Sequence, residues 1–250
     1  MSEACYVYGI VPADVKANPG VKGVGDPPGE IDVVRHGEIA ALVSDVRTDR
    51  PLGRPEDLMA HEQLLDATAP EAPVLPIRFG AVLTDRKAVV EELLAPHEEE
   101  FAAALRELEG RAQYVVKGRY VERRVLSEVL SEFPEAAELR EQISGKPEEA
   151  THDLRIHLGE MINNAVAAKR EQDTQAVLDA VGPFCVSTAV REPTHELDAV
   201  HVALLVETAR QRDLEDALDD LAQQWEGRVN LRLLGPLAPY DFVVTPQSAG

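Results

Sequence analysis

The chain has few aromatic residues and few cysteines. Of its 250 residues only 4% are aromatic, and the two cysteines are Cys5 and Cys185. Each cysteine lies in an apolar run, where a free thiol behaves as a small hydrophobe. No CxxC pair and no Cys/His spacing typical of a metal site occurs. With so few aromatics, we expect a core of Val, Leu, Ile and Ala.

Long apolar runs are also lacking. No run approaches the ~20 residues that span a bilayer. The N-terminal stretch Met1–Ala4 has neither the basic start nor the apolar core of a signal peptide. We therefore expect a cytoplasmic protein without a membrane partner.

Positive charge is scarce, since 25 basic residues face 45 acidic ones and give a net charge of −20. A field of this sign repels phosphate backbones and anionic membrane surfaces, so no nucleic acid partner is expected. Such a charge suits a protein that must stay dispersed near an aggregating partner. It is equally ordinary for a chain from an acidic proteome.

No pattern of residues predicts catalysis, a cofactor or a metal. The glycines of residues 20–25 (GVKGVG) do not join a strand to a helix, as a nucleotide loop requires. His61-Glu62 lacks the second histidine of a zincin helix, and His152 and His157 are five residues apart, which separates them on a helix. Cys185 has no cation beside it in sequence, so its thiol should be unreactive. We therefore predict that the chain is not an enzyme.

The first part of the chain reads as a mixture of strands and helices. Apolar runs bounded by turn residues predict strands at 5–11, 31–35, 38–46 and 74–83. The second and third of these are joined by a turn at His36-Gly37, which predicts a hairpin. Pro76 cannot donate a ladder hydrogen bond, so the last of these strands should lie at a sheet edge. A helix is predicted from Pro55, with Leu58, His61 and Leu65 on one face, so His61 is expected to be a partly buried packing residue. A second helical region is predicted over 86–109, interrupted at Pro96, with Phe101, Leu105 and Leu108 as the buried stripe of its second half.

The second part follows a recognisable order. Strands are predicted at 114–120, 184–190, 200–206 and 229–233, with helices over 121–181 and around Leu214–Trp225. This is the βαββαβ order of a ferredoxin-like unit. In two of these strands, alternation places the residues of one face together: Phe184, Val186, Thr188 and Val190 in the first, and Val200, Val202, Leu204 and Val206 in the second. We predict an α+β protein with two domains. Residues 1–110 form a decorated ferredoxin-like unit, and 111–250 form a ferredoxin-like domain with a helical insertion (about 121–182) and a tail.

One basic cluster interrupts the acidic background: Lys117, Arg119, Arg123 and Arg124. Alternation along the strand places Lys117 and Arg119 on the same face. Two interpretations remain open. The cations pair with nearby Glu122 and Glu128, or they form a docking patch for an acidic partner segment.

Two stretches resemble a known family. Leu75–Gly80 (LPIRFG) resembles the LPxRFG strand of the gas vesicle protein F/L family, and here too it follows His61-Glu62. Gly235–Phe242 (GPLAPYDF) resembles the GPWPPYSF segment of that family, with Leu237 and Ala238 in place of Trp and Pro. The segments CYVYGIV, GEIAALVSDV and YVVKGRY fit the same pattern in the same order, so the likeness spans nearly the whole chain.

The resemblance implies a non-enzymatic accessory or minor structural protein of gas vesicles. It implies contact with the small, very hydrophobic shell protein, gas vesicle protein A, and with other gas vesicle proteins. It also implies a role in nucleation or assembly, and a place at the gas vesicle. An acidic protein that covers the apolar surface of such a subunit would keep it dispersed.

Candidate structural or interaction residues follow from the two family segments. Alternation predicts Ile77 and Phe79 on one face and Arg78 on the other, with Arg78 paired to a carboxylate or capping carbonyls between the two domains. Tyr240 and Phe242 are expected to dock the tail. The full set of candidate structural or interaction residues is Arg78, Phe79, Lys117, Arg119, Tyr240 and Phe242.

Two other functions stay open from the residues alone. One is a small-molecule-binding regulatory module with its ligand at the domain junction. The other is an enzyme with a site split between the domains, for which the sequence offers no convergent polar set.

Overall fold

The computed structural model describes residues 3–17, 20–47, 49 and 51–243. Its first sheet contains five strands: β1 (Glu3–Pro12), β2 (Ile31–His36), β3 (Ile39–Arg47), β4 (Leu75–Pro76) and β5 (Val82–Leu83). Their order is β2-β3-β1-β4, and β5 also pairs with β1. The predicted hairpin is confirmed, because β2 and β3 pair antiparallel. Gly37 takes the positive φ of +53° that their tight turn requires.

Strand β1 sends side chains into two separate cores. Cys5 and Val7 contribute to one core, and Tyr6 and Tyr8 to the other. The register against β3 shifts between Val7 and Gly9. A bulge of this kind re-aims the residues that follow. A Cβ on Gly9 would lie 2.8 Å from the Leu75 carbonyl oxygen, which explains the glycine.

Helix α1 (Pro55–Thr68) follows the hairpin and begins at the predicted proline. Asp57 caps it, since its Oδ2 accepts from the backbone N–H groups of Gly53 and Arg54 at 3.3 and 3.2 Å. The predicted buried face is partly wrong. His61 and Leu65 are buried, but Leu58 is 42% exposed, because the inward face runs through Asp57 and His61.

The helical region that was predicted over 86–109 is broken near Pro96, as expected. Helix α2 (Arg86–Ala88) continues as a π-helical segment, Val89–Leu94, and a 3-10 turn, Ala95–His97. Helix α3 (Glu98–Leu108) then buries Phe101, Leu105 and Leu108, which confirms the predicted stripe.

The continuous strand predicted over 74–83 is wrong. The structure has two short strands, β4 and β5, separated by a turn at Phe79 and Gly80. Both pair with β1. Strand β4 ends the strand order of the sheet, so the edge position expected from Pro76 is confirmed.

The second sheet contains β6 (Arg111–Tyr120), β7 (Cys185–Val190), β8 (Asp198–Glu207) and β9 (Val229–Leu237), in the order β7-β8-β6-β9. Helices α4 (Glu122–Glu132), α5 (Pro134–Ile143) and α6 (His152–Val181) follow β6, and α7 (Gln211–Gln224) precedes β9. The predicted order of strands and helices and the α+β class are confirmed. The ferredoxin-like assignment itself stays a prediction.

Strand β7 differs from expectation. Alternation predicted a buried face, yet Val186 and Val190 are 43% and 62% exposed. Because β7 lies at the sheet edge with β8 as its neighbour, less of it is covered. The neighbouring prediction is confirmed, since the inward residues Val200, Val202, Leu204 and Val206 of β8 are buried.

The described chain separates into two compact units. Unit 1 comprises the residues up to Tyr114, Leu205–Ala209 and those from Gly235 on. Unit 2 comprises Val115–Leu204 and Arg210–Leu234. The division into residues 1–110 and 111–250 stays a prediction. Residues 244–250 of the predicted tail lie outside the described residues.

Candidate interaction surfaces

A groove of about 270 Å³ lies beside the edge strand β4 in unit 1. Apolar side chains from β4, α3, the end of β8 and the tail line it: Leu75, Ile77, Phe101, Leu108, Leu205 and Phe242. Glu100, Glu107 and Arg111 add charged groups to the lining. Within the described residues, β4 has β1 as its only strand partner. Both residues of β4 are buried and Pro76 has no N–H to donate, so the apolar groove beside the strand is the accessible feature here.

The segment Ile77–Gly80 divides its side chains between the two cores of unit 1. Ile77 belongs to the core beneath the groove, whereas Phe79 packs against the opposite core. The prediction that both face the same way is wrong, because strand β4 ends at Pro76 and alternation stops there. Gly80 completes the turn with φ +91°, and its N–H donates to the Tyr6 hydroxyl at 3.0 Å.

Arg78 lies between these two anchored residues and is exposed. Among the described residues, its guanidinium forms no ion pair or hydrogen bond, so the predicted carboxylate pairing is not seen there. A guanidinium offers five N–H donors in a planar fork. Its role as an interaction residue stays a prediction.

The tail is held on unit 1 chiefly through its backbone. The N–H of Ala238 donates to Asp66 Oδ1 at 2.9 Å, and that of Asp241 donates to Gln113 Oε1 at 3.1 Å. Ala238 is fully buried, and Phe242 packs against the core beneath the groove. Tyr240, by contrast, is 39% exposed.

An aromatic cluster surrounds His61 on the other side of the first sheet. The rings of Tyr6, Tyr8 and Phe79 lie with their centroids 5.6–5.8 Å from the imidazole. Tyr6 Oη already accepts from Gly80, so its proton is free to donate to His61 Nδ1 at 2.9 Å. The imidazole proton then sits on Nε2, which is buried and makes no hydrogen bond of normal geometry within the described residues.

Burial decides the charge of this histidine. Desolvation lowers the pKa of His61 to about 4, although the backbone of Ile77 offsets part of the effect. The ring is therefore neutral at pH 7 and acts as a packing residue, as the sequence predicted. The cluster brings His61 into contact with Phe79 of the Leu75–Gly80 segment.

The open face of the second sheet carries positive charge in unit 2. Gly118 shows which face this is, because a Cβ there would lie 3.1–3.2 Å from the side chains of Val200, Val229 and Leu231. These residues therefore share the covered face with Gly118. Alternation turns their neighbours to the opposite side, and these include Lys117, Arg119, His201 and Arg232.

The electrostatic environment of His201 also indicates that positive groups lie close together on this face. The charges of Lys117 and Arg191 help lower the pKa of His201, after the larger effect of its partial burial. Arg191 lies 3.4 Å from His201 through Nη1 and Nε2. Lys117 and Arg232 are exposed, and neither has an ion-pair partner in the part of the chain that the structure describes.

Asp198 is the acid at the edge of this face, and its pKa is lowered even though burial opposes the charge. Its Oδ2 accepts from the backbone N–H groups of Thr194 and His195 at 2.9 Å. Oδ1 accepts from Arg119 at 3.2 Å. The predicted pairing of the basic cluster is confirmed in part: Arg124 lies 4.0 Å from Glu128, as expected, whereas Arg119 pairs with Asp198 instead.

A network on the covered side of the second sheet was not foreseen from the sequence. Arg228 donates to both oxygens of Asp173 at 2.9 Å and to Glu128 at 3.1 Å. Tyr120 donates to Asp173 at 2.6 Å, and its pKa is raised chiefly by burial. Lys169 donates to Glu132 at 2.7 Å. These groups join α4 and α6 to the strands.

In the described part of the chain, no three side chains of His, Cys, Asp or Glu are placed to hold a metal ion. Burial raises the pKa of the Cys185 thiol to about 11, so it keeps its proton at pH 7. Among the described helices, none is long and apolar enough to cross a bilayer.

The fold belongs to a known class of proteins. The profile of the family described as gas vesicle synthesis protein GvpL/GvpF matches residues 4–244. The chain belongs to this family, as the two sequence segments indicated.

Individual relatives match over almost their full length. Gas vesicle protein F of a Streptomyces species is 36% identical over 95% of this chain and 98% of the relative. Gas vesicle protein L of the same strain is 27% identical over 95% and 91%. The crystal structures of GvpF from Anabaena and from Microcystis aeruginosa have TM-scores of 0.77 and 0.75 at 23% and 21% identity. Each covers 96% of this chain and 98% of its own, which shows that the fold is shared.

Proposed function

We propose that this chain is a non-enzymatic accessory protein of gas vesicle assembly that binds the hydrophobic shell protein, gas vesicle protein A. It acts in the cytoplasm and at the gas vesicle, together with other gas vesicle proteins. Membership of the GvpL/GvpF family over residues 4–244 carries this proposal. The higher identity to protein F than to protein L of the same Streptomyces strain favours an F-type role.

The groove beside β4 is the proposed docking site. An unassembled shell subunit exposes apolar surface that would otherwise aggregate. The groove offers apolar side chains against which such a surface can be buried. Arg78 is exposed and follows Ile77 directly in sequence, and in this proposal it contacts the same partner. The net charge of −20 would keep the complex dispersed.

Capture of the shell protein by the full chain after co-expression tests the proposal. Ala104 is half-buried and faces the groove, whereas Ala103 is exposed on the same helix. Ala104→Glu places a carboxylate in the groove and should abolish capture. Ala103→Glu adds the same charge one residue away and should leave capture intact.

Each outcome bears on a different part of the proposal. Failure of the wild-type chain to capture the shell protein would overturn the function. Equal capture by both folded variants would remove the groove as the site and leave the function standing. Circular dichroism of each variant establishes that it is folded.

A further inference from the structure

The open face of the second sheet is the second candidate surface, and its charge opposes that of the rest of the molecule. The whole chain carries −20, yet this face presents Lys117 and Arg119 on the central strand β6 and Arg232 on the neighbouring edge strand β9. Arg191 and His201 border it on the β7–β8 side. A solvated face of an acidic protein would be expected to carry acids as well, and the acids here are few.

The acid that lies at the edge of this face is already engaged. Asp198 is buried and accepts four hydrogen bonds, three of them from Thr194 and His195 and one from Arg119. Glu192 is exposed in the loop after β7. Lys117 and Arg232 have no ion-pair partner among the described residues.

We infer that this face binds an acidic peptide segment of a partner protein. Residues two apart on a strand are ~6.6 Å apart, and neighbouring strands are ~4.8 Å apart. Lys117, Arg119 and Arg232 thus form a triangle whose spacing suits carboxylates on alternate residues of an extended segment. Charge complementarity at such a face sets partner choice more than affinity.

Nucleic acid fits this face less well than an acidic peptide does. Duplex DNA carries one charge per ~1.7 Å, so a chain of net charge −20 repels it more strongly than it repels a short peptide. Single strands are usually bound through aromatic side chains that stack on the bases. Lys117, Arg119, His201, Asn230 and Arg232, which alternation places on this face, include no Phe, Tyr or Trp.

The test uses the full chain and a fluorescein-labelled decaglutamate peptide, with binding followed by fluorescence anisotropy at low salt. The wild-type chain should bind, and added salt should weaken the complex. The double variant Lys117→Glu/Arg232→Glu should bind at least about tenfold more weakly, since it replaces two attractions by two repulsions. The matched control, Arg140→Glu/Arg212→Glu, makes the same change in net charge at exposed helix positions and should bind within about twofold of wild type.

A zero-length carbodiimide cross-link locates the contact. It joins a peptide carboxylate to a lysine amine with loss of water, and the chain has six lysines: Lys16, Lys22, Lys87, Lys117, Lys146 and Lys169. We expect the link at Lys117.

Several results would overturn the inference. They are no binding by wild type at low salt, an equal loss in both double variants, or cross-links at other lysines in place of Lys117. A ten-nucleotide single-stranded DNA that binds this face more tightly than decaglutamate would assign it to nucleic acid instead. The shell protein is not needed in this assay, so its outcome is independent of the function proposed above.

Discussion

Protonation of His61 should destabilise the fold as the pH falls. The pKa of His61 is about 4 in the folded protein because its ring is only 2% exposed, whereas an unfolded chain has the ordinary histidine value of about 6.5. Between these two values the unfolded state binds a proton that the folded state does not, so stability is lost as the pH decreases through this range. The loss is about 2 kcal/mol between pH 7 and pH 5, and about 3 kcal/mol in total.

The hydrogen-bond arrangement around the His61 ring explains why an added proton is unfavourable in the folded protein. A proton on Nδ1 would meet the hydroxyl proton of Tyr6, which now donates to that nitrogen. Tyr6 would have to turn its hydroxyl away while still accepting from Gly80. The second proton, on Nε2, already lacks a partner of normal geometry among the described residues.

The assay compares wild type with His61→Asn in urea unfolding at pH 7, 6 and 5, followed by far-ultraviolet circular dichroism. Asparagine keeps an acceptor near the position of Nδ1 but does not titrate, so other acidic groups contribute equally to both proteins. The difference in the free energy of unfolding should shrink by about 2 kcal/mol from pH 7 to pH 5. The His61 ring resonance, followed by NMR, should titrate near pH 4. A difference that does not change with pH, or a ring that titrates near 6.5, would refute the reasoning.

Four further predictions concern packing and charge. Gly118→Ala should lower the free energy of unfolding in urea by about 1–3 kcal/mol, because the new methyl group meets three side chains. Gly159→Ala places its methyl group in open space and should stabilise α6 by up to about 1 kcal/mol. Asp173→Ala removes the acceptor of Arg228 and Tyr120 and should cost about 2 kcal/mol or more. Arg78→Ala should change the unfolding free energy by less than about 0.5 kcal/mol yet reduce shell-protein capture, and a larger loss of stability would restore the structural role predicted from sequence.

Helices and strands were predictable where a residue type or a residue spacing within the element marks its start or its buried face. Pro55 marked the start of α1, and the spacing of Phe101, Leu105 and Leu108 marked the buried stripe of α3. The prediction failed where burial depends on neighbours distant in sequence. The apolar alternation of β7 resembles that of β8, and only the sheet order makes β7 an exposed edge.

The segment around Phe79 shows a second limit of the alternation rule. The rule holds only while a strand continues, and β4 ends at Pro76. Gly80 was the available signal of a turn, since its positive φ suits glycine. The direction of Phe79 is then set by His61 and Tyr6, whose proximity no local spacing reveals.

The grouping of positive charges on the open face of the second sheet could be predicted only in part from the sequence. Alternation within β6 was enough to place Lys117 and Arg119 together, but Arg232 joins them only through the pairing of β9 with β6. A slip of one residue in that pairing would turn Arg232 to the covered face and bring an apolar neighbour to the open one. The side chains of Val229 and Leu231, which pack over Gly118, oppose such a slip. The apolar packing on one side of the sheet therefore fixes which charges the other side presents to a partner.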